Sequence, residues 1–123
     1  MPPTLTRELI EAALPQFTGS DTVYRRVSSG IMYTEGVQYL ADAAGAHWLI
    51  DLIASWQPEA LKDAMLREFQ LWKLLVTGTS AVAVCYRDTD DEAFREEIEY
   101  TDFPLPQVSL YVEGGVLLLP SEH

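Results

Sequence analysis

The sequence predicts an α+β fold, with N-terminal helices packed on a mostly antiparallel C-terminal sheet of four or five strands. Two observations carry this. Between Thr34 and Gln57 apolar residues recur at helical spacing, whereas from Glu68 onward β-branched and aromatic residues come in short runs parted by turn-forming residues. Helices first and a meander afterwards place the helices on one face of the sheet. The chain has 123 residues, 48% of them hydrophobic, which suits a single globular domain over residues 1–123 with an ordinary core.

Leu5 to Leu14 reads as a short helix, with Thr4 as its cap and Pro15 as its stop. Gln16 to Ser20 follows as a linker, and Thr22 to Val27 as an extended stretch. Thr34 then caps a second helix, whose Val37, Leu40, Ala41 and Ala44 form one apolar stripe and whose end falls at Gly45. A third, Ala46 to Gln57, aligns Trp48, Leu49, Leu52, Ile53 and Trp56 and ends at Pro58. A short helical segment from Glu59 to Arg67 completes this half.

The strands are expected at Gln70–Val76, Ala81–Arg87, Phe94–Tyr100, Val108–Val112 and Val116–Leu119. Thr77-Gly78-Thr79-Ser80 and Glu113-Gly114-Gly115 read as hairpin turns, and Asp88 to Glu92 as an acidic loop.

Charge narrows the function classes. The chain carries 19 acidic and 8 basic residues, for a net charge of −11. Direct binding to nucleic acid is disfavoured, since phosphate contacts need clustered lysine and arginine. Residues 88–123 hold 10 acids and a single base, Arg95. On a strand from Phe94 to Tyr100, Glu97 and Glu99 share a face with Arg95, while Phe94, Glu96, Ile98 and Tyr100 share the other. Asp88, Asp90, Asp91, Glu92, Glu97, Glu99 and Asp102 would then form an acidic ridge. Charge on an outer strand serves solubility and discourages sheet-to-sheet pairing. The same ridge could dock a basic protein surface, steered by opposed fields.

Catalytic and metal signals are thin. His47 and Asp51 stand four apart on a helix, as a hydrogen-bonded pair or an acid–base pair would. No zinc-ligand spacing is present, and the acidic loop lacks the glycine and distal glutamate of a calcium site, so neither metal nor cofactor is expected. Cys85 lies in an apolar strand and reads as an inert buried thiol. No nucleophile elbow or phosphate-cradling loop occurs. The Tyr24-Arg25-Arg26 doublet is expected to pair with the chain's own carboxylates, and Trp48, Trp56 and Trp72 to pack in the core. The N-terminus shows no signal-peptide pattern and no apolar stretch is long enough to span a bilayer, so a cytoplasmic protein with no membrane partner is expected.

Five segments carry a resemblance: Phe17-Thr18-Gly19-Ser20, Tyr33-Thr34-Glu35-Gly36-Val37, Ala44 to Asp51, Tyr100-Thr101-Asp102-Phe103-Pro104-Leu105, and Leu118-Leu119-Pro120-Ser121-Glu122. Their wording and order resemble an uncharacterised bacterial family of small single-domain proteins, many carried by plasmids and phage-like elements. The resemblance implies no activity and transfers no catalytic residue. It implies an aromatic in many relatives where His47 stands, and a histidine where Arg26 stands. Small acidic proteins of mobile elements sometimes imitate DNA, which by analogy favours docking to a basic host protein.

The expectation is therefore a non-enzymatic acidic interaction protein whose contact surface runs from Asp88 to Asp102. A homodimer covering a sheet edge or the Trp56 end is a further option. The alternative is a small enzyme or ligand-binding protein with a pocket near His47, Asp51 and Tyr24.

Overall fold

A computed structural model describes residues 7–18, 22–26, 29–88 and 90–123. Helix α1 spans Arg7–Ala13 and buries Ile10; a single 3-10 turn, Leu14–Gln16, follows it, with Pro15 where a missing N–H costs nothing. The expected cap Thr4, and Gly19 and Ser20 of the linker, lie outside the described residues. Strands β1 (Val23–Arg25) and β2 (Met32–Thr34) pair antiparallel, so the extended stretch holds for its central residues, with Val27 outside the described set.

Helix α2 (Glu35–Ala44) starts and stops as its sequence dictates. The Thr34 hydroxyl accepts from the Val37 N–H at 3.4 Å, and Gly45 closes the helix in the left-handed region at φ 63°. Helix α3 (His47–Ala60) corrects one expectation, because it runs through Pro58 rather than ending there. The proline removes one ladder bond, to the Ala54 carbonyl, in the last turn of an exposed helix end. The Leu61 N–H still reaches the Gln57 carbonyl at 2.9 Å and closes that turn. The segment expected from Glu59 to Arg67 is accordingly split. Its first two residues finish α3, and α4 (Ala64–Glu68) begins afresh where the Asp63 carboxylate accepts from Met65 and Leu66 N–H groups.

Five further strands follow: β3 (Phe69–Thr77), β4 (Ser80–Asp88), β5 (Asp91–Ile98), β6 (Gln107–Glu113) and β7 (Val116–Leu118). They join the first two in one sheet, in the order β1-β2-β7-β6-β3-β4-β5. The α+β class is right, but the sheet has seven strands rather than four or five, and it is mixed. Strand β2 lies parallel to β7, with Met32 opposite Val116 and Tyr33 opposite Leu117. Strand β2, with three residues, is too short to show a period, and its pairing with β7 joins distant parts of the chain. The hairpin turn between β3 and β4 narrows to Gly78-Thr79, since Thr77 and Ser80 already pair.

One face of the sheet meets the helices. Trp72, Leu74, Ala83, Cys85, Leu110, Val112 and Leu117 pack there against Ile10, Leu40, Ile50, Ile53 and Leu66. Cys85 is fully buried, and burial pushes its thiol up to about 12, so it is an inert core residue. Trp72 donates its indole N–H to Gln70 Oε1 at 2.8 Å, and Gln70 exchanges two amide hydrogen bonds of 2.9 Å with Gln57. A buried glutamine is tolerated because its polar atoms are met.

The C-terminal turn Pro120–Glu122 closes the structure on α2. Glu122 Oε1 accepts from the Thr34 hydroxyl at 2.6 Å and from Leu119 N–H at 3.0 Å, and Oε2 accepts from Gly36 N–H at 3.2 Å. A carboxylate at a helix N-terminus satisfies donors the helix itself leaves open.

At the opposite end Arg87 ties three elements. Its Nε donates to Asp63 at 2.7 Å and its Nη1 to Asp91 at 3.1 Å. The Arg87 hydrogen bond holds the Asp63 carboxyl below its ordinary 3.8. A carboxyl depressed on folding adds stability above its unfolded value, and that stability is lost as pH falls through the folded value. Asp63→Asn keeps the cap and removes the ion pair. This variant is expected to lose less stability than the parent between about pH 5 and about pH 2. Urea unfolding at several pH values checks it; identical slopes would mean the pair contributes nothing.

Candidate functional site

The middle of the acidic segment lies on β5, an edge strand of the sheet, while Asp88, expected in a loop, ends β4, and Glu99 and Asp102 follow β5. Asp91 and Glu92 belong to the strand rather than to the loop before it, and Tyr100, expected as its last residue, lies beyond it and is exposed. Cys85 faces Phe94 while Tyr86 faces Glu92, so Ala93 is an extra residue and the strand bulges there. A bulge on an edge strand re-aims side chains and resists further pairing. The faces sort as expected for the second half of the strand. Phe94 stacks on Trp56 with ring centroids 4.8 Å apart, and Glu96 accepts the Trp56 indole N–H at 2.8 Å. Trp56 is therefore half-buried against the sheet rather than an exposed anchor. Glu97 stands on the other face, opposite Val82.

The carboxylates are not equivalent. At the start of the strand, Asp91 is held by Arg87, and Glu92 is held by Arg95 at 3.0 and 3.3 Å. The Arg95 hydrogen bond keeps the Glu92 carboxyl below the usual carboxylate range. Glu96 is committed to Trp56. No hydrogen bond or ion pair from another described residue engages the side chains of Asp90, Glu97, Glu99 or Asp102. All four are exposed. The strand's eight residues span about 25 Å; beyond Arg95, at its far end, Glu97 and Glu99 line one groove, and Asp102 follows them in the chain. Neither Arg26 nor Lys73 neutralises them: Arg26 lies 3.1 Å from Asp51, and Lys73 sits 5.5 Å over the Tyr86 ring.

His47 and Asp51 do come together, but through a residue that spacing alone does not show. Arg26 Nη2 donates to His47 Nδ1 at 3.1 Å, and Arg26 Nε lies 3.1 Å from Asp51 Oδ1. His47 Nε2 in turn bonds Asp42 at 2.7 Å, and Asp42 also accepts from Gln38. Arginine can only donate, so this contact uses Nδ1 as an acceptor and leaves Nε2 to donate to Asp42. The helix-surface pair is thus two separate ligands of one guanidinium. Tyr24 joins by stacking on Tyr33, over whose ring Arg26 sits at 5.5 Å. Arg26 meets the chain's own carboxylate as expected; Arg25 is exposed and forms no ion pair among the described residues. Glu122 also escaped the sequence reading, although an acid two residues after a proline that opens a turn was a usable signal.

Among the described residues, no group of three or more histidine, cysteine, aspartate or glutamate side chains could hold a metal ion, and no helix is long and apolar enough to cross a membrane.

Fold and surface together define a small acidic α+β protein with a mixed, one-sided sheet and a charged edge strand. The model of a family of unknown function, DUF6876, matches residues 8–123, and the chain belongs to that family. No curated protein and no solved structure matches the chain. Two of the resembling segments, around Gly36 and Glu122, are the two halves of the clasp at α2.

Proposed function

We propose that this chain is a non-enzymatic acidic interaction protein that docks a basic protein surface with the far end of β5. The carrying observation is that Glu97 and Glu99 line one groove and, like Asp102, are exposed and without ion-pair partners among the described residues. Carboxylates outside any ion pair, beside an arginine hydrogen-bonded to Glu92, present a net negative field. A nucleic-acid-binding protein is the partner class this favours, because its surface already holds rows of negative phosphate. The mobile-element setting implied by the resemblance agrees with an inhibitor that imitates DNA.

Charge reversal at Glu97→Lys and Glu99→Lys is expected to weaken binding to such a protein by about tenfold or more. Raised salt should weaken the parent complex in the same direction. Calorimetric titration against a DNA-binding protein with a basic cleft, with duplex DNA as competitor, reads both effects. Affinity indifferent to salt and to the reversal would end this reading.

One observation favours a second reading, a ligand-binding or catalytic pocket. His47, Asp51 and Tyr24 converge around Arg26. Arg26 is already hydrogen-bonded to His47 and ion-paired with Asp51, so a ligand would compete with contacts already made. His47→Ala supports that reading only if it abolishes binding of a small molecule that stabilises the parent to heat.

A further inference from the structure

The helices bury their apolar sides in one core, on one face of the sheet, and the residues of the other face stand in cross-strand rows. One row is Gln107, Leu75, Val82 and Glu97; the next is Ser109, Lys73, Val84 and Arg95; the third is Tyr111, Leu71, Tyr86 and Glu92. A sheet face turned to water normally alternates to polar residues on every strand. Here β3 and β4 stay largely apolar on both faces. Val84 is fully buried yet lies outside the helix-facing core, between Lys73 and Arg95, whose aliphatic stems can cover it. Leu71, Leu75, Val82 and Tyr86 are only half-buried. They form two rows that flank the row of Lys73, Val84 and Arg95, and half-exposed apolar side chains on an outer face favour an interaction surface.

Its rim says what fits. At the hairpin end lies a groove of about 480 Å³, with Leu75 and Val82 in its wall and Glu97 and Glu99 at its lip. Arg95 also lines it; its guanidinium is hydrogen-bonded to Glu92 and feels the charge of Glu97 without forming an ion pair with it, while Glu99 is unengaged among the described residues. An apolar floor beside unpaired carboxylates complements a lysine or arginine side chain, whose stem is apolar and whose head is cationic. A second copy of the chain would bring a net charge of −11 against −11.

We infer that the outer face of β3 and β4 is the seat of a basic, amphipathic segment of a partner protein. Its apolar stripe covers Leu71, Leu75, Val82 and Tyr86, and its lysines or arginines meet Glu97 and Glu99. The inference rests on the acidic docking reading above and adds the apolar half of the contact.

The probe is a synthetic amphipathic helix of leucine and lysine alone, with a leucine–glutamate helix as control. Amide shifts of the isotope-labelled protein should move on β3, β4 and β5 with the first peptide and stay unmoved with the second. The charge-neutral double variant Leu75→Gln with Val82→Thr should weaken the lysine peptide about fivefold or more, with thermal unfolding confirming that the variant is folded. Since Leu75→Gln could itself disturb the hairpin, Val82→Thr alone serves as a milder variant and should move affinity in the same direction. If affinity falls with Glu97→Lys and Glu99→Lys but not with the apolar variants, the sheet face takes no part, while acidic docking survives. If neither set matters, both readings fail. A dimer in light scattering whose outer-face amides are protected from exchange would give the seat to a second copy and overturn the inference.

Discussion

Trp72→Ala is expected to lower the unfolding free energy by about 3–5 kcal/mol, a large part of what holds a domain of this size together. The indole is almost wholly buried and lies between Cys85 and Leu110 in the register of three adjacent strands. Around it Leu49, Ile53, Leu74, Ala83 and Val108 leave a void of only about 10 Å³, so no slack exists to absorb the missing rings. Removing the indole also takes one donor from Gln70, which is 1% exposed and has no water to turn to. Trp72→Phe separates the two effects, since it keeps most of the volume and loses only the N–H, at about 1 kcal/mol for the hydrogen bond. Urea unfolding with an unchanged slope is the measurement. A loss below about 1 kcal/mol for the alanine variant would contradict the packing described.

Gly36→Ala should destabilise by about 1–3 kcal/mol, although alanine is the better helix former by about 1 kcal/mol. A Cβ at this position would stand 2.6 Å from Glu122 Oε1 and 2.7 Å from Leu119 Cδ1. Both atoms end flexible side chains, but Glu122 is held by Thr34, Leu119 and Gly36 together, so moving it breaks bonds. Coupling to the partner makes the expectation specific. In a Glu122→Ala background the carboxylate is gone, and the glycine substitution should cost less, with a coupling of about 1 kcal/mol or more by double-mutant cycle. Additive losses would show that Gly36 is constrained by something other than the clasp.

Local chemistry explains which parts of the fold were legible. Thr34 and Gly45 bound α2 in sequence and in space, because capping needs only the helix's own backbone. The hairpin of β3 and β4 was visible for a similar reason, its turn and its apolar runs being contiguous. Strand β2 was invisible: three residues show no period, and its neighbour β7 lies over eighty residues away. Pro58 misled because a proline in a last helical turn forfeits a single bond, which the sequence cannot distinguish from a stop.

The site divides in the same way. Alternation along β5 placed Glu97 outward and Glu96 inward, yet it could not say that Arg87 and Arg95 would quench one end of the ridge. Arg87 reaches Asp63 across 24 positions of chain, and Arg26 reaches His47 across 21. Partner choice at such separations belongs to the tertiary fold, and the short-range spacing of His47 and Asp51 suggested a direct bond where the structure has a bridge.

The parallel pair of β2 with β7 has a consequence for synthesis. As the polypeptide leaves the ribosome, Met32 to Thr34 emerges long before its sheet neighbour, and α2 waits for the glutamate that latches its first turn. That flank therefore stays unzipped until the chain has been made through Glu122, and its closure is a long-range step.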